Sequence, residues 1–160
     1  MAVILKTIVK VEKVILGCFI LLATGIIAYD VIARRLGLAP SWCEEIVRYM
    51  MIWITFLGSA LCFRRGAHFG IDVIRRVPGE KFQKFVSLFV ILTGAVFSGF
   101  LLYYGWKYTS FAYFSNQKTP ALGWPIFLVY MSVPVGAFLS EVHLLEVFLN
   151  DVLGIYKIQE

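Results

Sequence analysis

Residues 41–68, SWCEEIVRYMMIWITFLGSALCFRRGAH, decide how this chain is read. Two adjacent carboxylates, Glu44 and Glu45, stand at its start, Arg48 follows one helical turn on, and no further charge appears until Arg64 and Arg65. Pro40 favours an extended approach. Ser41 can cap a helix there, and Glu44 three residues later has the spacing of a capping box, in which two side chains satisfy two free amides reciprocally. Acidic groups in a first turn also suit the helix dipole. Arg48 lies four residues after Glu44 and three after Glu45, so on a helix it sits over both and can pair with either. Two readings stay open. The trio can simply cap the helix and hold it at a membrane surface. Alternatively it meets a protein partner: the uncharged run from Tyr49 to Phe63 spans only about 22 Å, short of a hydrocarbon core of about 30 Å, and ionisable groups at such depth face protein or water rather than lipid.

The whole composition agrees with a membrane setting. Hydrophobic residues make up 60% of the 160 positions and charged residues 16%, and the mean hydropathy is +0.81, outside the range of ordinary soluble domains. The length suits four spans with short connections in a single membrane domain, 1–160. The net charge of +5 does not point to nucleic acid, because the basic residues cluster at the ends of apolar segments, where they orient helices and meet anionic headgroups. Cys18, Cys43 and Cys62 are odd in number and scattered. They offer neither a disulfide framework nor metal spacing.

Outward from residues 41–68 the chain reads as an all-α integral membrane protein with spans at about 11–33, 42–63, 83–106 and 123–147. The first apolar run, Val14 to Tyr29, is longer than a signal-peptide core and is kept as a span. Asp30 and Arg34 at its end have the spacing of a surface ion pair. After Arg65, the sequence HFGIDVIRRVPGEK reads as a short amphipathic helix on the membrane surface, about 68–77, ended by Pro78 and Gly79. Arg64, Arg65, His68, Arg75 and Arg76 are its candidate lipid-facing groups. In the third span Gly94 with Ser98, and Ala95 with Gly99, are small-residue pairs that let another helix approach, and Tyr103, Tyr104, Trp106 and Tyr108 read as an interfacial belt. Pro134 inside the fourth span is expected to kink it, since no amide there serves the carbonyl of Tyr130. Ten of the fifteen Lys and Arg residues fall on the side of the termini and the middle loop, which puts both termini in the cytoplasm and Glu44 and Glu45 outside.

Chemistry is sparse. The uncharged interiors leave none of the carboxylates that a proton-coupled carrier needs at mid-span, with Glu141, His143, Glu146 and Asp151 assigned to the far end of the fourth span. A haem held by His68 and His143 is one alternative, and an autonomous small transporter is another. No nucleophile stands beside a base, and there is no metal-spaced cluster or Gly-rich phosphate loop. The expectation is therefore no enzyme, no cofactor and no metal, but a bundle that serves a larger partner, with Trp42, Glu44, Glu45, Arg48, Gly94 and Ser98 as candidate interface residues.

The stretch SWCEEIVRYMMIWITFLGSALCFRRGAHFGIDVI, followed by TPALGWPIFLVYMSVPVGAFL, resembles the small (Q-type, DctQ-like) membrane subunit of tripartite ATP-independent periplasmic (TRAP) transporters. The likeness rests on Trp42, Glu44 and Glu45 as W-x-E-E, on Arg48, on Phe56 to Gly58, on the R-R-G-x-H of Arg64 to His68, and on Pro134 with Gly136. It implies an inner-membrane symport complex. A periplasmic binding protein would deliver an organic acid, such as sialic acid or a C4-dicarboxylate, to a large M-type subunit that imports it with sodium. The small subunit would brace that subunit's scaffold and contribute no catalysis. The substrate would be chosen by the other two proteins.

Overall fold

The computed structural model describes residues 2–38, 40–64 and 80–151. They form α1 (Ala2–Arg35), α2 (Ser41–Arg64), α3 (Glu80–Phe114), the single turn α4 (Phe127–Tyr130) and α5 (Ser132–Asp151). Four helical stretches are long and apolar enough to cross a membrane: Thr7–Arg35, Ser41–Arg64, Leu88–Phe114 and Phe127–Leu149. The interfacial helix expected at 68–77, with Arg65, His68, Arg75 and Arg76, lies outside the described residues.

The helices make a row rather than a closed bundle. α1 packs along α2, α2 along α5, and α5 along α3, while among the described residues α1 and α3 form the two edges and do not pack on each other. In lipid the apolar surface gains nothing by leaving a hydrocarbon for a hydrocarbon, so seams rely on close backbone approach and polar contacts. The buried apolar positions fit that rule: Ala23, Ala33, Ala60, Ala112 and Ala137 are prominent among them, with one larger cluster of Ile91, Leu144 and Val147 between α3 and α5. The tightest seam is α2 on α5. A Cβ placed at Gly136 would lie 2.9 Å from the backbone oxygen of Phe56, so only glycine permits the crossing. Gly94 faces Phe63 and Leu144 of the same chain, at 3.2 and 3.4 Å from a built Cβ.

Three expectations need adjustment. The third span runs on to Phe114 instead of stopping near 106, because Trp106 to Phe114 contains no helix breaker; the turn comes only at Asn116, whose φ is +50°. Tyr103, Tyr104, Trp106 and Tyr108 thus stand on the helix flank, not beyond its end. The fourth span begins at Phe127 instead of near 123 and stays helical through Met131, whose φ of −61° and ψ of −21° are those of a helix. The capping box does not form. Cys43 N–H reaches the carbonyl of Pro40 at 3.2 Å, so the first turn already begins at Pro40, and Glu44 bonds to α1 instead of turning back to Ser41.

Candidate functional site

Where α1 ends and α2 begins, the two adjacent glutamates part company. Glu44 is exposed and pairs with Arg34, which also holds Asp30 at 2.9 Å. The Asp30–Arg34 pair is the one its i, i+4 spacing predicts, and Glu44 extends it from α1 to α2. Glu45 points the other way and is buried. Its Oε2 accepts the backbone N–H groups of Ala121 at 2.7 Å and Leu122 at 2.9 Å, and Tyr49 donates its hydroxyl to Oε1. Arg48, expected over both glutamates, is exposed and makes no ion pair among the described residues. The spacing permitted the pair, but Arg34 and the 119–122 turn take the two carboxylates first. Trp42 lies against Tyr29 of α1, ring centres 6.0 Å apart.

The turn that Glu45 holds is itself ordered by backbone bonds. Thr119 N–H reaches the carbonyl of Trp124 at 2.8 Å, Ile126 N–H that of Gln117 at 3.0 Å, and Thr119 Oγ1 accepts Trp124 N–H at 3.0 Å. Gly123 takes φ +66°, a conformation that suits glycine. A carboxylate with two amide donors on one oxygen is a strong anchor for such a loop.

At the opposite end, four side chains from three helices meet. Arg64 of α2 gives Glu146 of α5 two parallel hydrogen bonds, Nε at 2.9 Å and Nη2 at 3.1 Å. His143, fully buried, sets Nε2 2.9 Å from Glu12 of α1, and its Nδ1 lies 3.8 Å from Glu146. Nε2 of His143 is thus engaged by Glu12, whereas the buried Nδ1, facing Glu146 beyond hydrogen-bond reach, has no hydrogen-bond partner among the described residues. Glu12 and its partnership escaped the sequence reading, because nothing local on α1 connects residue 12 to residue 143.

A third polar contact lies between these ends. The hydroxyl of Ser98 on α3 is 2.6 Å from Glu141 Oε1 on α5. Glu141 stands at mid-helix in α5 and so corrects the expectation of charge-free span interiors; counting the span from residue 123 had pushed it towards the end. Ser98 and Gly94 therefore face α5 within this chain.

Fold and contacts define a multi-pass, all-helical membrane protein whose polar groups hold helices and one loop together. The particular family follows from comparison. The model of the tripartite ATP-independent periplasmic transporters' DctQ component matches residues 23–154, and the chain belongs to that family. It is 31% identical over 112 residues to the C4-dicarboxylate TRAP transporter small permease protein DctQ of Rhodobacter capsulatus, covering 69% of this chain and 49% of that protein. It is 32% identical over 138 residues to the ectoine TRAP transporter small permease protein TeaB of Halomonas elongata, covering 85% and 71%. The isethionate TRAP transporter permease protein DctMQ of Oleidesulfovibrio alaskensis matches at 26% over 143 residues, 84% of this chain but 22% of that protein. The chain thus spans about half the length of the Rhodobacter relative.

Proposed function

We propose that this chain is the non-catalytic small subunit of a binding-protein-dependent, sodium-coupled importer of organic acids such as sialic acid or C4-dicarboxylates. It sits in the bacterial inner membrane with both termini in the cytoplasm, and it braces the scaffold of a large transport subunit that a periplasmic binding protein loads. The observation that carries this reading is the pair of matches just described: to separate small permease proteins, and to roughly a fifth of a longer permease. A sequence that occurs both alone and as part of a larger permease is what a subunit bound to that permease would show. The relatives are named for three different solutes at similar identity, which supports placing substrate choice elsewhere. The geometry is consistent: most of the polar side chains described hold helices or the 119–122 turn together, as a brace requires.

The test is sodium-driven uptake in proteoliposomes that hold the large subunit and its binding protein, with and without this chain. Uptake that requires the chain, while the chain alone moves nothing, is expected. Uptake that ignores it would overturn the role.

A further inference from the structure

Glu141 is poorly served by its own chain. Ser98 lies near the middle of α3 (Glu80–Phe114) and Glu141 near the middle of α5 (Ser132–Asp151). A carboxyl group there is costly unless it is paired or enclosed by protein. Ser98 has one hydroxyl proton, and the carbonyl of Gly94, at 2.9 Å from the same oxygen, competes for it. Among the described residues Glu141 Oε2 has no hydrogen-bond partner, and the side chain is only half-buried.

Gly99 borders Glu141, with Oε1 3.7 Å from where a Cβ would stand. From Gly99 a shallow groove of about 520 Å³ runs along α3 past Leu102, Tyr103 and Trp106 to Lys107. This is one free edge of the row. The other edge, α1, carries no Asp, Glu, Lys, Arg or His between Val14 and Tyr29, so lipid alone can cover that stretch.

We infer that the chain docks on its large membrane partner through the α3–α5 edge, where Glu141 accepts a hydrogen bond from a donor side chain on a transmembrane helix lying along the Gly99 groove. The charge complementarity decides the occupant. An acyl chain has no donor to give, whereas a helix bearing Lys, Arg, Asn, Gln, Ser or Thr at the level of Glu141 satisfies Oε2 and fills the groove. The inference rests on the proposed pairing with a large subunit.

The test co-expresses this chain with that large subunit and places a photo-crosslinking residue at Tyr103 or, for the opposite edge, at Leu21, which is 74% exposed. Adducts with the large subunit are expected from Tyr103 and not from Leu21. Glu141→Leu is expected to lower the large subunit retained on co-purification about threefold to tenfold, the scale of an interhelical hydrogen bond in lipid, while Glu141→Gln, which keeps an acceptor, retains most of it. Thermal stability of each variant alone separates lost docking from lost folding, and the Tyr103 and Leu21 adducts do not depend on Glu141 variants folding. Adducts from Leu21 only, adducts from Tyr103 to lipid only, or full retention by a folded Glu141→Leu would each overturn the inference. If the unmodified chain retains no large subunit at all, the proposed function itself fails, and this docking edge with it.

Discussion

The two ends of the row solve the same problem with different chemistry. At the Ser41 end a buried carboxylate, Glu45, is satisfied by neutral donors, two backbone amides and a phenol. At the Arg64 end the buried carboxylate Glu12 meets an imidazole and the half-buried Glu146 a guanidinium. The first arrangement holds a loop on one helix. The second ties α1, α2 and α5 to one another. A loop needs an acceptor for amides that its tight turn leaves free, whereas helices have spent their amides internally and can be joined only through side chains. The loop is therefore anchored through backbone amides and the Arg64 end through side chains, with the Asp30–Arg34–Glu44 pairs as an exposed link beside the loop, so substitution and exchange should affect the two buried anchors unequally.

The largest effect is expected from a change that loosens both ends at once. Gly136→Leu drives a side chain against the backbone oxygen of Phe56, 2.9 Å from the Cβ position alone, and a backbone atom cannot rotate away. The cost should exceed the roughly 1–3 kcal/mol of ordinary overpacking. The chain should aggregate or lose most of its cooperative melting in detergent. Gly25→Ala, with nothing within 4 Å, is the control and should melt normally. Equal melting of the two would mean the α2–α5 seam is not where the row is held.

Next in size is the charged end. Glu146→Ala leaves Arg64 without its bidentate partner and His143 without a nearby carboxylate, and for a half-buried pair the loss should fall between the roughly 1 kcal/mol of an exposed pair and the roughly 3 kcal/mol of a buried one. Thermal melting in detergent should register it. Arg64→Ala in the Glu146→Ala background should then add little, because the two act as a unit. Additive losses would show that Glu146 serves His143 and Arg64 separately.

A smaller and more local effect is expected at the loop end. Glu45→Ala should speed hydrogen exchange at the amides of Ala121 and Leu122 by about tenfold, the measure of a lost charge-assisted bond, while exchange in the middle of α5 stays unchanged. Exchange that rises equally throughout the chain would make Glu45 a general stabiliser rather than a loop anchor.

Much of the fold was legible because it is written in local patterns. Long, largely apolar stretches mark spans, and Asp30 and Arg34 sit one turn apart. What was not legible joins distant positions. Glu45 bonds residues 76 and 77 places away, and Glu12 meets His143 across 131. No period or motif encodes such pairs. Glu141 shows a different failure: its identity was visible, but its depth depended on where the helix starts, and the loop through Trp124 and Pro125 delays that start to Phe127. The adjacent Glu44 and Glu45 were read as one unit with Arg48 for a third reason. Sequence spacing says which groups can meet on a helix, and it is silent about the competitors that α1 and the 119–122 turn bring.

That last point has a direct test, with the smallest expected effect of the series. If Arg48 bridged both glutamates, it would re-pair with the survivor after either single substitution, and the double variant Glu44→Ala/Glu45→Ala would lose more than the two singles together. In the structure the two carboxylates share no partner: Glu44 uses Arg34, and Glu45 uses Tyr49 and the loop amides. Residues without shared partners combine additively. The melting shift of the double variant should thus equal the sum of the singles, with the Glu45 change supplying most of it because Glu44 is exposed and exposed pairs contribute little. Arg48→Ala should leave all three shifts where they were. A double variant whose loss well exceeds the sum, together with sensitivity to Arg48→Ala, would restore the shared bridge and dissolve the distinction between a surface glutamate that links two helices and a buried one that holds a loop.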